Sequence, residues 1–160
     1  EILAMMACGM MMTSAYAQEI KNGDFESGDL TSWNVWEKKD NKIVDAKKAH
    51  SGNYAVEVKV GMWQAVNISY ETGAEYQISA YTKYSWGDKP NFRIEYYNPD
   101  SKKLEEIATA EVKKDRKNYN LTTVKFKLQE NGFVYRFTAV PGSGNGGCFL
   151  LDDVKIEKVK

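Results

Sequence analysis

Imidazole and sulfur are scarce in this sequence: one histidine and two cysteines among 160 residues. Cys8 lies in the apolar opening stretch and Cys148 far downstream, so a chain without that stretch has no intrachain disulfide to close. A single histidine, with no nucleophile elbow and no zinc-ligand spacing, removes the usual residue sets for nucleophilic or zinc-assisted hydrolysis. Excess charge of either sign is missing as well. Lys+Arg and Asp+Glu stand at 22 each, a balance unlike that of a nucleic-acid binder or a polybasic membrane anchor. There is no long amphipathic helical period, no internal repeat and no linker composition.

The opening "ILAMMACGMMMTSAYA" contains no Asp, Glu, Lys or Arg and holds five of the six methionines. It ends in Ala15-Tyr16-Ala17, an A-x-A cleavage pattern, and is too short for a membrane span. Residues 1–17 therefore read as a secretory signal peptide that lacks its basic start. The expected address is secreted, extracellular or periplasmic. The rival reading, Cys8 as a lipidated cysteine, is disfavoured by the poor lipobox Met5-Met6-Ala7. Residues 18–160 then form one domain, long enough for a full hydrophobic core.

What is present in that domain is alternation. "NYAVEVKV" sets Val56, Val58 and Val60 against Glu57 and Lys59. "EYQISAYTKY" sets Tyr76, Ile78 and Ala80 against Gln77, Ser79 and Tyr81. "NFRIEYYN" sets Phe92, Ile94 and Tyr96 against Arg93, Glu95 and Tyr97, and "TTVKFKLQ" repeats the pattern. Period-two alternation of this length predicts half-buried antiparallel strands. Between the strands stand Ser51-Gly52-Asn53, Thr72-Gly73, Asn98-Pro99-Asp100, Asn131-Gly132 and "PGSGNGG", all with turn chemistry. "KKLEEIATAEVKK" reads as an edge strand entered by a hairpin. The fold expected is all-β: an antiparallel two-sheet β-sandwich or jelly roll.

Two acids lie against apolar residues, Glu26 after Phe25 and Asp152 after Leu151. Leu150, Asp152, Val154 and Ile156 share one parity, which predicts Asp152 facing inward and Asp153 facing solvent. Two inward carboxylates repel each other unless a cation lies between them, and hard oxygen ligands with turn carbonyls select Ca²⁺. A protonated acid or a salt bridge to a nearby lysine answers the same cost equally well. A catalytic pair fits less well, since glycosidase carboxylates must flank a substrate cleft.

The succession "NGDFE…W", "AHSGNYAVEV", "MWQAVNISYETGAEYQISAYTK" and "CFLLDDVKI" resembles the jelly-roll carbohydrate-binding modules of families four, nine, sixteen and twenty-two, members of the galactose-binding-domain-like fold. The resemblance runs from about Ile20 to Val159. It implies glycan binding without cleavage and one structural Ca²⁺. By position it implies Glu26 and Asp152 as acidic ligands, with backbone around Asp24, Ser51 and Gly52 completing the shell, and a structural His50 in the "HSG" turn. A poly- or oligosaccharide is the implied partner, with a glycan-degrading enzyme acting alongside.

Strand parity places Trp63, Tyr81, Arg93, Glu95, Tyr97 and Arg136 on the free face, with Gln77. Flat rings for sugar C–H faces and charged groups for paired hydroxyls are what a glycan site needs. Tyr84 and Trp86, at a strand end, form a reserve loop platform, and Trp33 and Phe25 belong to the core. Two other classes stay open: a protein-interaction or adhesion sandwich, and a small glycoside hydrolase.

Overall fold

The computed structural model describes residues 19–37, 40–144 and 146–160. The leader reading and Cys8 lie outside the described residues. Ten strands follow one another, and among the described residues there is no helix. They are β1 (Asn34–Val35), β2 (Lys42–Asp45), β3 (Tyr54–Val58), β4 (Met62–Asn67), β5 (Glu75–Gly87), β6 (Asn91–Asn98), β7 (Lys103–Glu111), β8 (Asn120–Lys127), β9 (Val134–Val140) and β10 (Gly147–Lys158). They form two antiparallel five-stranded sheets, which we call sheet A (β1-β4-β9-β6-β7) and sheet B (β2-β3-β10-β5-β8). This is the two-sheet sandwich that the alternation predicts. "KKLEEIATAEVKK" supplies β7, which lies at the edge of sheet A beside β6.

The inner faces carry the apolar parity of each strand. Met62, Phe92, Ile94, Phe137 and Ala139 from sheet A meet Val56, Val58, Ile78, Ala80, Phe149 and Leu151 from sheet B. Phe92 reaches Phe149 across the gap at 6.2 Å and Phe137 edge-on at 5.0 Å. Full burial of one such side chain contributes about 1.5–3 kcal/mol. The segment before β1 fills the remaining opening. Phe25 stacks on Trp33 at 5.6 Å, and Trp33 packs edge-on against Phe137. Both rings are buried, as the sequence indicates. Buried Gln64 exchanges two hydrogen bonds with the backbone of Lys21, and the indole of Trp33 donates to the carbonyl of Asn22.

The structure corrects the parity of β10. Phe149 and Leu151 point into the core, and so do Val154 and Ile156. A β-bulge between Asp152 and Lys155, with Asp153 at φ 50°, inserts the extra residue that reconciles the two sets. Asp152 thus sits opposite Tyr81 on the outer side of sheet B, where the turn after Lys48 covers it. It is 0% exposed without being part of the inter-sheet core. Glu26 does not face inward either. It is exposed, and it holds the same turn from outside.

Candidate functional site

Sheet A presents one row of side chains after another on its outer face. Trp63 on β4 and Arg93 on β6 both stand opposite Thr138 of β9, and Asn34 of β1 stands opposite Trp63. One step along, Arg136 faces Glu95. The guanidinium of Arg136 lies 5.1 Å from the Trp63 ring centroid, and its Nε donates to Glu95 Oε2 at 2.7 Å. Thr138 Oγ1 donates to the same oxygen at 2.9 Å. The pair is largely shielded, with side-chain exposures of 17% and 15%. One ring, one cation, one carboxylate and one hydroxyl are thereby fixed relative to each other. A cation over an indole face contributes about 0.5–2 kcal/mol, depending on desolvation.

Arg93 donates from Nε to Asn91 Oδ1 at 3.2 Å and lies 3.5 Å from Glu106. Tyr97 lies farther along β6, opposite Leu104, with its ring exposed on the same face. A cavity of about 600 Å³ opens beside Trp63, lined also by Leu30, Trp33, Asn34, Val35, Trp36 and Arg136. Trp36 is 57% exposed, and its ring covers Gly61, where any Cβ would collide with the indole. Its place in the wall was not legible from alternation, because it belongs to no strand. The one local signal is the glycine just before Met62-Trp63.

The expected free-face residues therefore divide between two sheets. Trp63, Arg93, Glu95, Tyr97 and Arg136 share the outer face of sheet A. Tyr81 and Gln77 belong to β5 of sheet B and do not join them. Tyr81 is stacked on the His50 ring at 3.6 Å, and Tyr119 approaches His50 edge-on while donating to the Lys48 carbonyl. Burial pushes the Tyr119 hydroxyl far up, and the charges of Asp152 and Asp153 add to it. Tyr84 packs toward the core, donates to the Gly87 carbonyl and lies under Arg116. Trp86, at the end of β5, is exposed.

The acidic residues converge on one turn. Asp152 Oδ2 accepts from the N–H groups of His50 and Ser51 at 2.9 and 3.2 Å, and Oδ1 accepts from the Asp153 N–H. Glu26 Oε1 accepts from the N–H groups of Asn53 and Tyr54 at 2.8 and 3.0 Å, while Oε2 takes the Asn53 amide. Asp153 binds His50 Nδ1 at 2.8 Å and the Ser51 hydroxyl. Burial raises the Asp152 carboxyl to about 6; the Ser51 N–H restrains the rise and the Asp153 charge adds to it. Glu26 is held below the usual carboxylate range, first by the N–H groups of Asn53 and Tyr54. Asp24 accepts from the Glu26 N–H at 3.3 Å, and Gly52 lies directly against the Glu26 carboxylate.

Comparison with solved structures returns the same architecture. The family-22 xylan-binding domain (CBM22-1) of Xyn10C from Paenibacillus barcinonensis superposes with a TM-score of 0.63 at 17% identity, over 86% of this chain and 92% of that one. TmCBM61, solved with β-1,4-galactotriose, gives 0.60 at 21% identity, over 87% and 97%. The CBM22-1–GH10 modules of the Clostridium thermocellum endo-1,4-β-D-xylanase 10B, complexed with xylohexaose, give 0.60 at 16% identity, over 89% of this chain and 28% of that one. No curated protein matches the sequence. A family profile described as "Carbohydrate binding domain", spanning families four and nine, matches residues 17–139. With most of its length covered by that profile, the chain belongs to the carbohydrate-binding domain family.

Proposed function

We propose that this protein is a non-catalytic glycan-binding module whose site is the outer face of sheet A. The observation that carries the reading is the fixed group of Trp63, Arg136, Glu95 and Thr138 beside an open cavity. Trp63 offers an apolar plane to a sugar ring, while the remaining guanidinium N–H groups and the second Glu95 oxygen are left to pair with its hydroxyls. Arg93 and Tyr97 extend the face along β6. Glu95 is committed to Arg136 and Thr138, an arrangement for holding hydroxyls rather than for an acid–base pair straddling a bond. The module acts outside the cytoplasm beside a glycan-degrading enzyme, in keeping with the apolar leader and with the xylanase that carries a similar module. A glycan array that includes xylan and β-1,4-galactan, run with a reducing-sugar assay, tests this reading. Binding without sugar release supports it. Release of reducing ends, or binding unaffected by Trp63→Ala, overturns it.

Calcium is the cofactor that the resemblance implies, and the turn fits it. His50, Asp152 and Asp153 each present a ligand atom, all within 4.8 Å of one another. The Asp153 charge also reaches Glu26. Asp152, whose ionisation is opposed by burial and by the Asp153 charge, suits a hard, oxygen-seeking cation beside it. Asp152, Asp153 and Glu26 would hold the ion, with carbonyls around Ser51 and Gly52. Its role there is charge compensation and tethering of the first turn to β10.

A further inference from the structure

Two of the crossings between the sheets, from β5 to β6 and from β9 to β10, lie side by side at one end of the sandwich. The two crossings pack backbone on backbone. A Cβ at Gly87 would lie 2.5 Å from the Gly147 Cα, and one at Gly142 would lie 2.7 Å from the Gly146 carbonyl oxygen. Those glycines are explained by packing. Gly144 and Gly146 stand at φ +63° and +84°, a left-handed backbone that favours glycine; a Cβ at Gly144 would meet nothing within 4 Å, and one at Gly146 would meet only the tip of the Trp86 indole at 4.0 Å. This turn leaves open space beside Trp86.

A cavity of about 450 Å³ occupies this place, lined by Trp86, Gly87, Asp88, Ser143, Gly144 and Gly146. Trp86 is 48% exposed, and among the described residues its indole N–H has no acceptor. Asp88 accepts from the Ser143 hydroxyl at 3.3 Å, its carbonyl accepts from the Ser143 N–H at 2.9 Å, and Lys114 Nζ lies 3.9 Å from its other carboxylate oxygen. An aromatic plane, a carboxylate and a hydroxyl thus line a space that Gly87, Gly144 and Gly146 also border. None of these residues belongs to the face around Trp63.

We infer that this rim is a second carbohydrate site, which takes the terminal one or two sugars of a glycan against Trp86. The indole receives the C–H face of the ring, Asp88 and Ser143 take its hydroxyls, and the glycine backbone leaves room for the ring to lie flat. The inference rests on the glycan-binding reading but on separate residues. Two sites on one small domain would grip a polymer by avidity, with neither alone binding tightly.

The test uses the four tryptophan indole N–H signals of the full chain, assigned by Trp→Phe variants and titrated with xylobiose, β-1,4-galactobiose, xylohexaose and β-1,4-galactotriose. Movement of the Trp86 signal in a Trp63→Ala background, lost on Asp88→Asn, supports the second site. Trp86→Ala is then expected to weaken retention on insoluble xylan or β-1,4-galactan by about tenfold or more. Movement of the Trp63 signal with a stationary Trp86 signal overturns the second site and leaves the first standing. Movement of Trp86 alone does the reverse. If no sugar moves any indole, both readings fall.

Discussion

Glu26 and Asp152 hold a single turn from opposite ends, Asp152 through the N–H groups of His50 and Ser51 and Glu26 through those of Asn53 and Tyr54. The opening segment and β10, far apart in sequence, are thereby tied through a third piece of chain. If a cation sits among these acids, removing it leaves the carboxylates facing one another. Calcium at about a hundred times its dissociation constant adds about 2.7 kcal/mol, which is several degrees of melting temperature for a domain of this size. Chelation is expected to lower the wild-type melting temperature by that amount. Asp152→Ala is expected to melt lower and to ignore the chelator. Superimposable wild-type curves with and without chelator would remove calcium from the account.

Gly52 stands at φ 60°, with the position of its absent Cβ 2.3 Å from Glu26 Oε1. Gly52→Ala meets the left-handed backbone cost of about 1–2 kcal/mol and also displaces the Glu26 carboxylate from its N–H donors. A lower denaturation midpoint with an unchanged m-value is expected. Gly73→Ala, at φ 75° with open space around it, isolates the backbone cost alone. Equal losses at the two positions would show that the Glu26 contact contributes nothing.

On the outer face of sheet A, Trp63→Ala removes a partly buried ring. We expect glycan affinity to fall about tenfold, equivalent to about 1.4 kcal/mol, with the fold retained at a stability cost of about 0.5–2 kcal/mol from the lost contact with Arg136. Collapse of the fold on this substitution would make Trp63 a packing residue.

Arg136→Ala acts differently, because it strips Glu95 of its closest partner in a shielded position. It is expected to cost about 1–3 kcal/mol in stability as well as affinity. In the Glu95→Gln background that stability loss should shrink, since no buried charge is then stranded. A double-mutant cycle by chemical denaturation checks this; full additivity would contradict the coupling.

Burial raises the Cys148 thiol above its ordinary range, and the residue is enclosed in β10. A thiol reagent is expected to modify it only at the rate at which the domain opens, and stoichiometrically in denaturant. Rapid labelling of the native protein would show that β10 separates locally from its neighbours.

The strands were legible because each carries its own alternation, and Val56, Ile78, Phe92 and Phe126 occupy the inner positions that it assigned them. Parity tells inside from outside but not which sheet a strand joins. That is why Tyr81 was grouped with Trp63, although His50 covers it on the opposite face. The bulge at Asp153 was hidden for a related reason. "LLDDVKI" supports a continuous alternation, and only the positive φ of one aspartate breaks it. Trp36 went unplaced because its neighbour is Gly61, a contact made across a turn rather than along a strand.

β10 lies at the middle of sheet B, between β3 and β5, and its Val154 N–H donates to the Gly23 carbonyl of the opening segment. Until residues 147–158 have been synthesised, β3 can pair only with β2 and β5 only with β8, and nothing joins the two pairs into one sheet. Loop closure over such separations must precede any gain from pairing, so folding is slow and cannot proceed strand by strand on the ribosome. Until then β3 and β5, each with a row of valine, isoleucine or tyrosine side chains, present unpaired edges. Truncation within β10 is therefore expected to yield aggregate, read by light scattering, instead of a smaller domain.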